Sequence, residues 1–211
     1  MSAIKNTVVA VLLLSGSGCF GLWNRIDRGQ LDRIPNEEML ALFDAENDVI
    51  ISKDDIEAVE REISDGRVAT KKARDKVDLL KDSPEVAGIT SPDVLALYTE
   101  WANLRLEMRE DEMRHLYVKR KLVDERLWLA RAKYELAKAQ LVHDHDPERG
   151  ADVDVAAFEN QVKDREAVVQ EAMAKLDESK IILEEIRNRY DATSARLQEA
   201  SGGAFGGPWA D

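Results

Sequence analysis

The sequence predicts an all-α protein, either a long antiparallel helical hairpin or a three-helix coiled-coil bundle. Proline and glycine, which interrupt helices, are absent from 93–146 and from 151–201. Apolar residues recur in both segments at the alternating three- and four-residue spacing that is typical of coiled coils. Segments this long predict helices that far exceed the average of about 11–12 residues.

The N-terminal segment, 1–18, has the composition of an export signal. Lys5 supplies a positive charge, the run 7–14 is apolar, and 15–18 alternates serine and glycine. An apolar run of this length suits a signal peptide and is much shorter than the ~20 residues that span a bilayer. The single cysteine of the chain, Cys19, follows directly.

Residues 1–19 resemble the signal sequence of a bacterial lipoprotein, in which the cysteine is lipidated and becomes the first residue of the mature chain. Gly16 stands where that motif usually has leucine, and Leu14 lies two places earlier. The resemblance implies a covalent lipid on Cys19, no other cofactor, and attachment to the membrane through two or more acyl chains. Phe20 stands where an aspartate commonly signals inner-membrane retention in enteric bacteria, so we expect the outer membrane, with the protein facing the periplasm.

The resemblance makes 19–35 a lipid-proximal tether, and 36–200 then forms one elongated helical domain. We expect a short helix over 36–47 and a longer one over 54–81, with Ser52 as the N-cap of the longer helix and acidic residues in its first turn. Gly66 lies in the apolar stripe of that helix and predicts a close helix approach or a kink. The predicted stripe comprises Ile56, Val59, Ile63, Gly66, Thr70, Ala73, Val77 and Leu80.

The central helix is predicted over 92–142, with Ser91 as N-cap and Pro92 at the first helical position. It has two apolar stripes, so it should contact two neighbours. The simplest arrangement places it between the other two helices, antiparallel to both; the alternative makes its second stripe an interface between copies of the chain. One stripe runs from Val94, Leu97, Trp101, Leu104 and Met108 to Val118, Leu122, Leu129 and Leu136; the other comprises Leu95, Tyr98, Ala102, Met113, Leu116, Val123, Leu127, Tyr134 and Leu141.

The last helix is predicted over 155–200, with Asp154 as N-cap. An uninterrupted seven-residue repeat favours left-handed coiled-coil packing, and at 1.5 Å per residue the two longest helices would each measure roughly 70 Å. Residues 201–211 are expected to form a flexible, glycine-rich tail that carries Phe205 and Trp209. The repeat comprises Val162, Val169, Leu176, Leu183, Tyr190 and Leu197, with Arg165, Ala172, Ser179, Ile186, Thr193 and Ala200 three residues after each.

The charge and the motifs limit the classes of function. A formal net charge of −12 argues against nucleic-acid binding and against a polybasic mode of membrane binding, since both need clustered Lys and Arg. No glycine-rich phosphate loop or nucleophile elbow occurs, and lipidation of Cys19 would exclude a cysteine–histidine pair. We therefore predict a protein that is not an enzyme.

Two segments carry side chains that can bind metals. Glu112 and His115 form one Glu-x-x-His, but the second copy that di-iron bundles need is missing, so we favour a His115–Asp111 pair in a polar layer. His143, His145 and Asp146 lie together in a hairpin loop where imidazole and carboxylate groups could hold zinc. Without a defining ligand spacing we favour a solvated loop, and these three residues are weak metal candidates.

These features favour a membrane-anchored periplasmic lipoprotein that acts as a structural spacer or scaffold for another cell-envelope component. Phe205 and Trp209 are candidates for docking a protein partner, since aromatics often anchor binding; simple disorder of the tail is the alternative. Two other functions stay open. One is an accessory part of a transport assembly, because alternating Ala and Leu over 129–139 is similar to the hairpins of periplasmic efflux adaptors. The other is a periplasmic holdase chaperone.

Overall fold

The computed structural model describes residues 24–32, 34–146 and 148–205. Three long helices make up most of this part of the chain, and its residues form no β-strand, so the predicted all-α class is confirmed. Short 3-10 turns precede α1 and occupy both interhelical loops. The helices are α1 (Leu40–Asp82), α2 (Pro92–His145) and α3 (Val155–Ala200).

α2 is the central helix, as its two apolar stripes predict. α1 and α3 both run antiparallel to α2 and pack along it, while they make few contacts with each other. Leu42 and Phe158, near the starts of α1 and α3, join one core cluster with Val142 near the end of α2. The 54 residues of α2 make a rod about 81 Å long.

α1 is one continuous helix where the sequence predicted two. Ser52 is not an N-cap, because its hydroxyl donates to the backbone oxygen of Asp48 one turn earlier in the same helix. Leu42 and Val49 extend the buried stripe of α1 upstream in unbroken register, and no proline or glycine separates Pro35 from Gly66. Continued packing against α2 therefore outweighs the local capping preference on which the prediction rested.

The ends of α2 and α3 differ little from prediction. α2 begins at Pro92 but runs to His145, and Ser91 makes no side-chain capping hydrogen bond. Asp154 does cap α3, since its carboxylate accepts from the backbone N–H of Ala157 at 3.2 Å. Ala200, the last predicted stripe position of α3, is exposed because the helix ends there.

Each stripe of α2 faces a different neighbour. Leu104 and Met108 pack on Ile186 of α3, whereas Met113 packs on Val59 of α1. The second stripe is therefore covered within one chain. A side chain at Gly66 of α1 would lie 2.6 Å from the sulfur of Met113, so the glycine marks the predicted close approach.

The outer surface of the rod is mostly charged, and the described residues are joined by many ion pairs between exposed side chains, such as Arg74–Glu110 and Arg189–Glu107. Within the described part of the chain, none of the helices combines the length and the apolar character that crossing a membrane requires.

Candidate functional site

The segment that precedes α1 is docked on one end of the rod. Ile26, Leu31 and Ile34 are all buried in the core cluster that also contains Val142 and Phe158. Apolar burial removes these side chains from water and gives the segment a fixed position. The described part of the predicted tether is therefore a packed element of the fold.

Two charged side chains of α2 hold the main chain of Ile26. Its N–H donates to a carboxylate oxygen of Glu135 at 2.9 Å, and its C=O accepts from the ammonium of Lys138 at 3.0 Å. Glu135 and Lys138 also form an ion pair of 2.7 Å, with their side chains only 11% and 8% exposed. A buried pair of this kind is tolerated because each charge has further hydrogen-bond partners.

Gln161 of α3 binds the main chain of Asn24 in the same way. The N–H of Asn24 donates to the Gln161 side-chain oxygen at 3.1 Å, and the Gln161 amide donates back to the C=O of Asn24 at 3.3 Å. The Asn24 side chain also donates to the backbone oxygen of Ala157 at 3.0 Å. Asn24 and Ile26 therefore each have both the backbone N–H and the backbone C=O hydrogen-bonded to a side chain of the rod. We call Asn24, Ile26, Glu135, Lys138 and Gln161 the N-terminal dock.

Aromatic and ionic contacts support Lys138 in the dock. Its ammonium lies 4.9 Å from the centre of the Tyr134 ring, a distance suited to a cation–π contact. Burial raises the pKa of the Tyr134 phenol above its usual value of 10, and the charge of Glu46 raises it further. The Tyr134 phenol therefore stays neutral to a higher pH than an ordinary tyrosine does.

The N-terminal dock limits how far Cys19 can lie from the rod. Five peptide units separate Cys19 from Asn24, and a fully extended chain of that length reaches about 17 Å. Cys19 itself lies outside the described residues, so its lipidation stays a prediction. A group attached to Cys19 would remain close to the end of the rod where α1 begins and α2 ends.

The three weak metal candidates lie at this same end, each with a separate contact. Nδ1 of His143 donates to the backbone oxygen of Gly150 at 3.0 Å, while Nε2 of His145 lies 3.9 Å from a carboxylate oxygen of Glu38. One oxygen of Asp146 accepts from two backbone N–H groups of the loop that follows. No three His, Cys, Asp or Glu side chains in the described ranges are grouped to hold a metal ion.

His115 pairs across the α2–α3 interface. Its Nδ1 lies 2.8 Å from the hydroxyl oxygen of Ser179, and that hydroxyl donates to the backbone oxygen of Leu176. Nδ1 therefore carries the proton that Ser179 accepts. The predicted partner, Asp111, is paired with Arg114 instead. The prediction of a His115–Asp111 pair was wrong, because His115 bonds across the interface to Ser179 and Asp111 pairs with Arg114.

The C-terminal aromatic candidate lies at the opposite end of the rod. The ring of Phe205 lies 5.2 Å from that of Tyr98, which stacks on Trp101 at 5.5 Å. The backbone N–H of Phe205 also donates to the hydroxyl of Ser201 at 3.0 Å. Phe205 is thus half-buried, and partner docking through it stays a prediction. Trp209 lies outside the described residues.

The sequence interpretation missed the N-terminal dock. The available signal was the recurrence of Ile26, Leu31 and Ile34 in the segment that the sequence predicted to be a tether. Glu135 and Lys138 could not be identified from the sequence. Their positions on a helix do not show that one will accept from, and the other donate to, the main chain of a distant segment.

Comparison with known proteins adds no family assignment. The chain matches no protein-family model, no curated protein and no solved structure. Its function is therefore inferred from its residues and its fold.

Proposed function

We propose that this protein is a lipid-anchored spacer or scaffold of the bacterial cell envelope, periplasm-facing and attached to the outer membrane. A lipid on Cys19 would hold one end of the rod at the membrane, and the rod would carry its other end about 80 Å away. The observation that supports this most is the N-terminal dock, which binds Asn24, five residues after Cys19, to one end of the rod.

A docked anchor segment suits a spacer better than a free one. A free linker would let the rod take any orientation and height, whereas the dock allows only about 17 Å of chain between lipid and helices. The formal net charge of −12 also opposes contact between the rod and an anionic membrane surface. Both effects favour a rod that stands away from the membrane.

The segment that suggested a transport accessory is used for packing inside the rod. Ala130, Ala132 and Ala139 are buried, and Ala132 packs with Val162 of α3. The small residues of 129–139 thus serve the close approach of helices within this chain. We therefore propose the spacer and do not propose the transport role.

Mass spectrometry of the N-terminal peptide from protein expressed in its native envelope tests the anchor. We expect a chain that begins at Cys19 with added acyl mass, and a Cys19→Ser variant without it. An unmodified wild-type N-terminus, cut at another position, would contradict the proposal.

Energy transfer tests the orientation of the rod. A donor dye is attached at Thr90→Cys, in the α1–α2 loop, or at Ala151→Cys, in the α2–α3 loop, of the lipidated protein in vesicles that carry an acceptor on their headgroups. We expect strong transfer from residue 151 and little from residue 90, since α2 separates the two by about 80 Å. Equal transfer from both would mean that the rod lies flat.

A further inference from the structure

A groove between α1 and α2 concentrates positive charge in an acidic protein. It has a volume of about 560 Å³, and four of its lining side chains are cationic. Only one lining residue, Asp65, is acidic, although the chain as a whole carries a formal net charge of −12. We call this site the basic groove and define it by Asp65, Val68, Lys72, Lys76, Arg105 and Arg109.

The cations of the basic groove are placed where they repel one another. Lys72 and Lys76 are one turn apart on α1, and Arg105 and Arg109 are one turn apart on α2. Like charges at this spacing destabilise a helix, and two such pairs face each other across the groove. Glu112 pairs with Arg109 at 2.7 Å and offsets part of this charge. An anionic ligand in the groove would pair with these cations through charge-assisted hydrogen bonds.

Aromatic rings hold two of the cations in place. The ammonium of Lys76 lies 5.4 Å from the ring centre of Trp101, and the guanidinium of Arg105 lies 5.5 Å from the same ring. Trp101 is only 1% exposed, so it is a rigid support. Cations held by such contacts lose less freedom when a ligand binds, which favours binding.

We propose that the basic groove docks an acidic peptide segment of a partner protein. Guanidinium groups form bidentate hydrogen bonds with carboxylates. The cations on α1 and α2 would both pair with acidic side chains along a bound peptide. Val68, which is 55% exposed, offers an apolar contact that a peptide side chain can cover and a simple anion cannot.

The position of the groove fits a partner held away from the membrane. Arg105 and Glu135 are 30 residues apart on α2, so the groove lies about 45 Å from the N-terminal dock. Only the placement of the partner away from the membrane rests on the proposed function. Peptide binding itself does not, because an unlipidated chain would retain the groove.

Fluorescence anisotropy with a dye-labelled polyglutamate peptide tests the groove. The protein is the chain from residue 20 onward, which keeps every described residue and lacks Cys19. We expect wild type to bind the peptide despite its own negative charge, and added salt to weaken binding. Lys72→Glu should weaken it about tenfold, because it replaces a charge-assisted contact by a repulsion. Circular dichroism checks that the variant keeps its helix content.

Lys163→Glu is the matched control, since it makes the same charge change at an exposed lysine of α3. We expect it to bind polyglutamate within twofold of wild type. Absence of wild-type binding, or an equal loss in both variants, would overturn the inference. Tighter binding of inorganic polyphosphate, in competition with the peptide, would overturn the choice of a peptide. None of these outcomes depends on the mass of the N-terminal peptide. The test of peptide binding and the test of lipid attachment can therefore fail independently.

Discussion

Lys138 and Glu135 show how two residues can determine the position of a distant segment. Both are buried on α2, and together they supply the donor and the acceptor for the peptide groups of Ile26. Removing either charge alone would leave the other buried without its ion-pair partner. Their role is to position the main chain of Ile26 on the rod, rather than to stabilise the fold by attracting each other.

Glu135→Ala should release this segment from the rod. The substitution leaves the Lys138 ammonium buried without its carboxylate and the N–H of Ile26 unpaired, so we expect a loss of about 3 kcal/mol in docking free energy. Limited trypsin digestion measures this as faster cleavage after Arg28, an exposed residue of the segment. Glu171→Ala, which removes an exposed partner of Lys175, should leave the cleavage rate unchanged. Equal rates in wild type and Glu135→Ala would contradict the role of the pair.

His115 makes the stability of the rod depend on pH. Burial, together with the nearby charges of Lys180 and Lys119, holds the pKa of this imidazole below its usual 6.5, although Glu62 acts in the opposite direction. As the pH falls, the unfolded chain takes up the proton first. The contribution of the neutral imidazole to stability is therefore complete above pH 6.5 and declines as pH falls from 6.5 through the lower pKa of the folded state.

Urea unfolding of wild type and His115→Gln tests this pH dependence. Between about pH 7.5 and about pH 5.5 we expect wild type to lose more unfolding free energy than the variant, whose glutamine does not titrate. Subtracting the variant removes the effects of carboxylates and of the other two histidines. Parallel losses in the two proteins would show that His115 titrates alike in the folded and unfolded states.

At the scale of elements, the continuity of α1 shows tertiary contacts overriding a local signal. Ser52 followed by Asp54 and Asp55 has the composition of a helix start. The stripe through Leu42, Val49 and Ser52 nevertheless keeps α1 in register against α2. A helix grows easily once formed, so packing on both sides of Ser52 carries it through this position.

Substitution of Ser52 distinguishes a helix interior from a helix start. Within a continuous α1, Ser52→Ala should stabilise the protein by about 0.5 kcal/mol, because alanine is the better helix former. If Ser52 were an N-cap, the same change would cost about 1 kcal/mol. Asp154→Ala is the comparison, since that carboxylate does cap α3 and its loss should cost about 1 kcal/mol. Thermal and urea unfolding, followed by circular dichroism, show whether each substitution raises or lowers the free energy of unfolding.

At the scale of the whole molecule, the linear arrangement of helices gives an elongated shape. α1 and α3 cover different stripes of α2 and make few contacts with each other, so the core is a series of clusters along α2. The two end clusters combine all three helices, and one of them also includes the docked N-terminal segment. These ends hold the two outer helices together.

Small-angle X-ray scattering of the chain from residue 20 onward tests this shape. A rod about 81 Å long has a radius of gyration of roughly 25 Å. A compact globule of the same residues, 20–211, would have about 16 Å. A measured value near that of the globule, with retained helix content, would mean that the helices fold back on one another and would contradict the rod.

The sequence by itself determined the all-α class, the extents of α2 and α3 within a few residues, the capping of α3 by Asp154 and most of the buried stripes. These follow from helix breakers, local capping and a seven-residue repeat, all of which act over short stretches of chain. Only the tertiary structure decided the continuity of α1, the pairing of His115 with Ser179 and the docking of Ile26 between Glu135 and Lys138. The physical reason is separation along the chain: Ile26 and Glu135 are 109 residues apart, and their contact exists only once the helices have aligned.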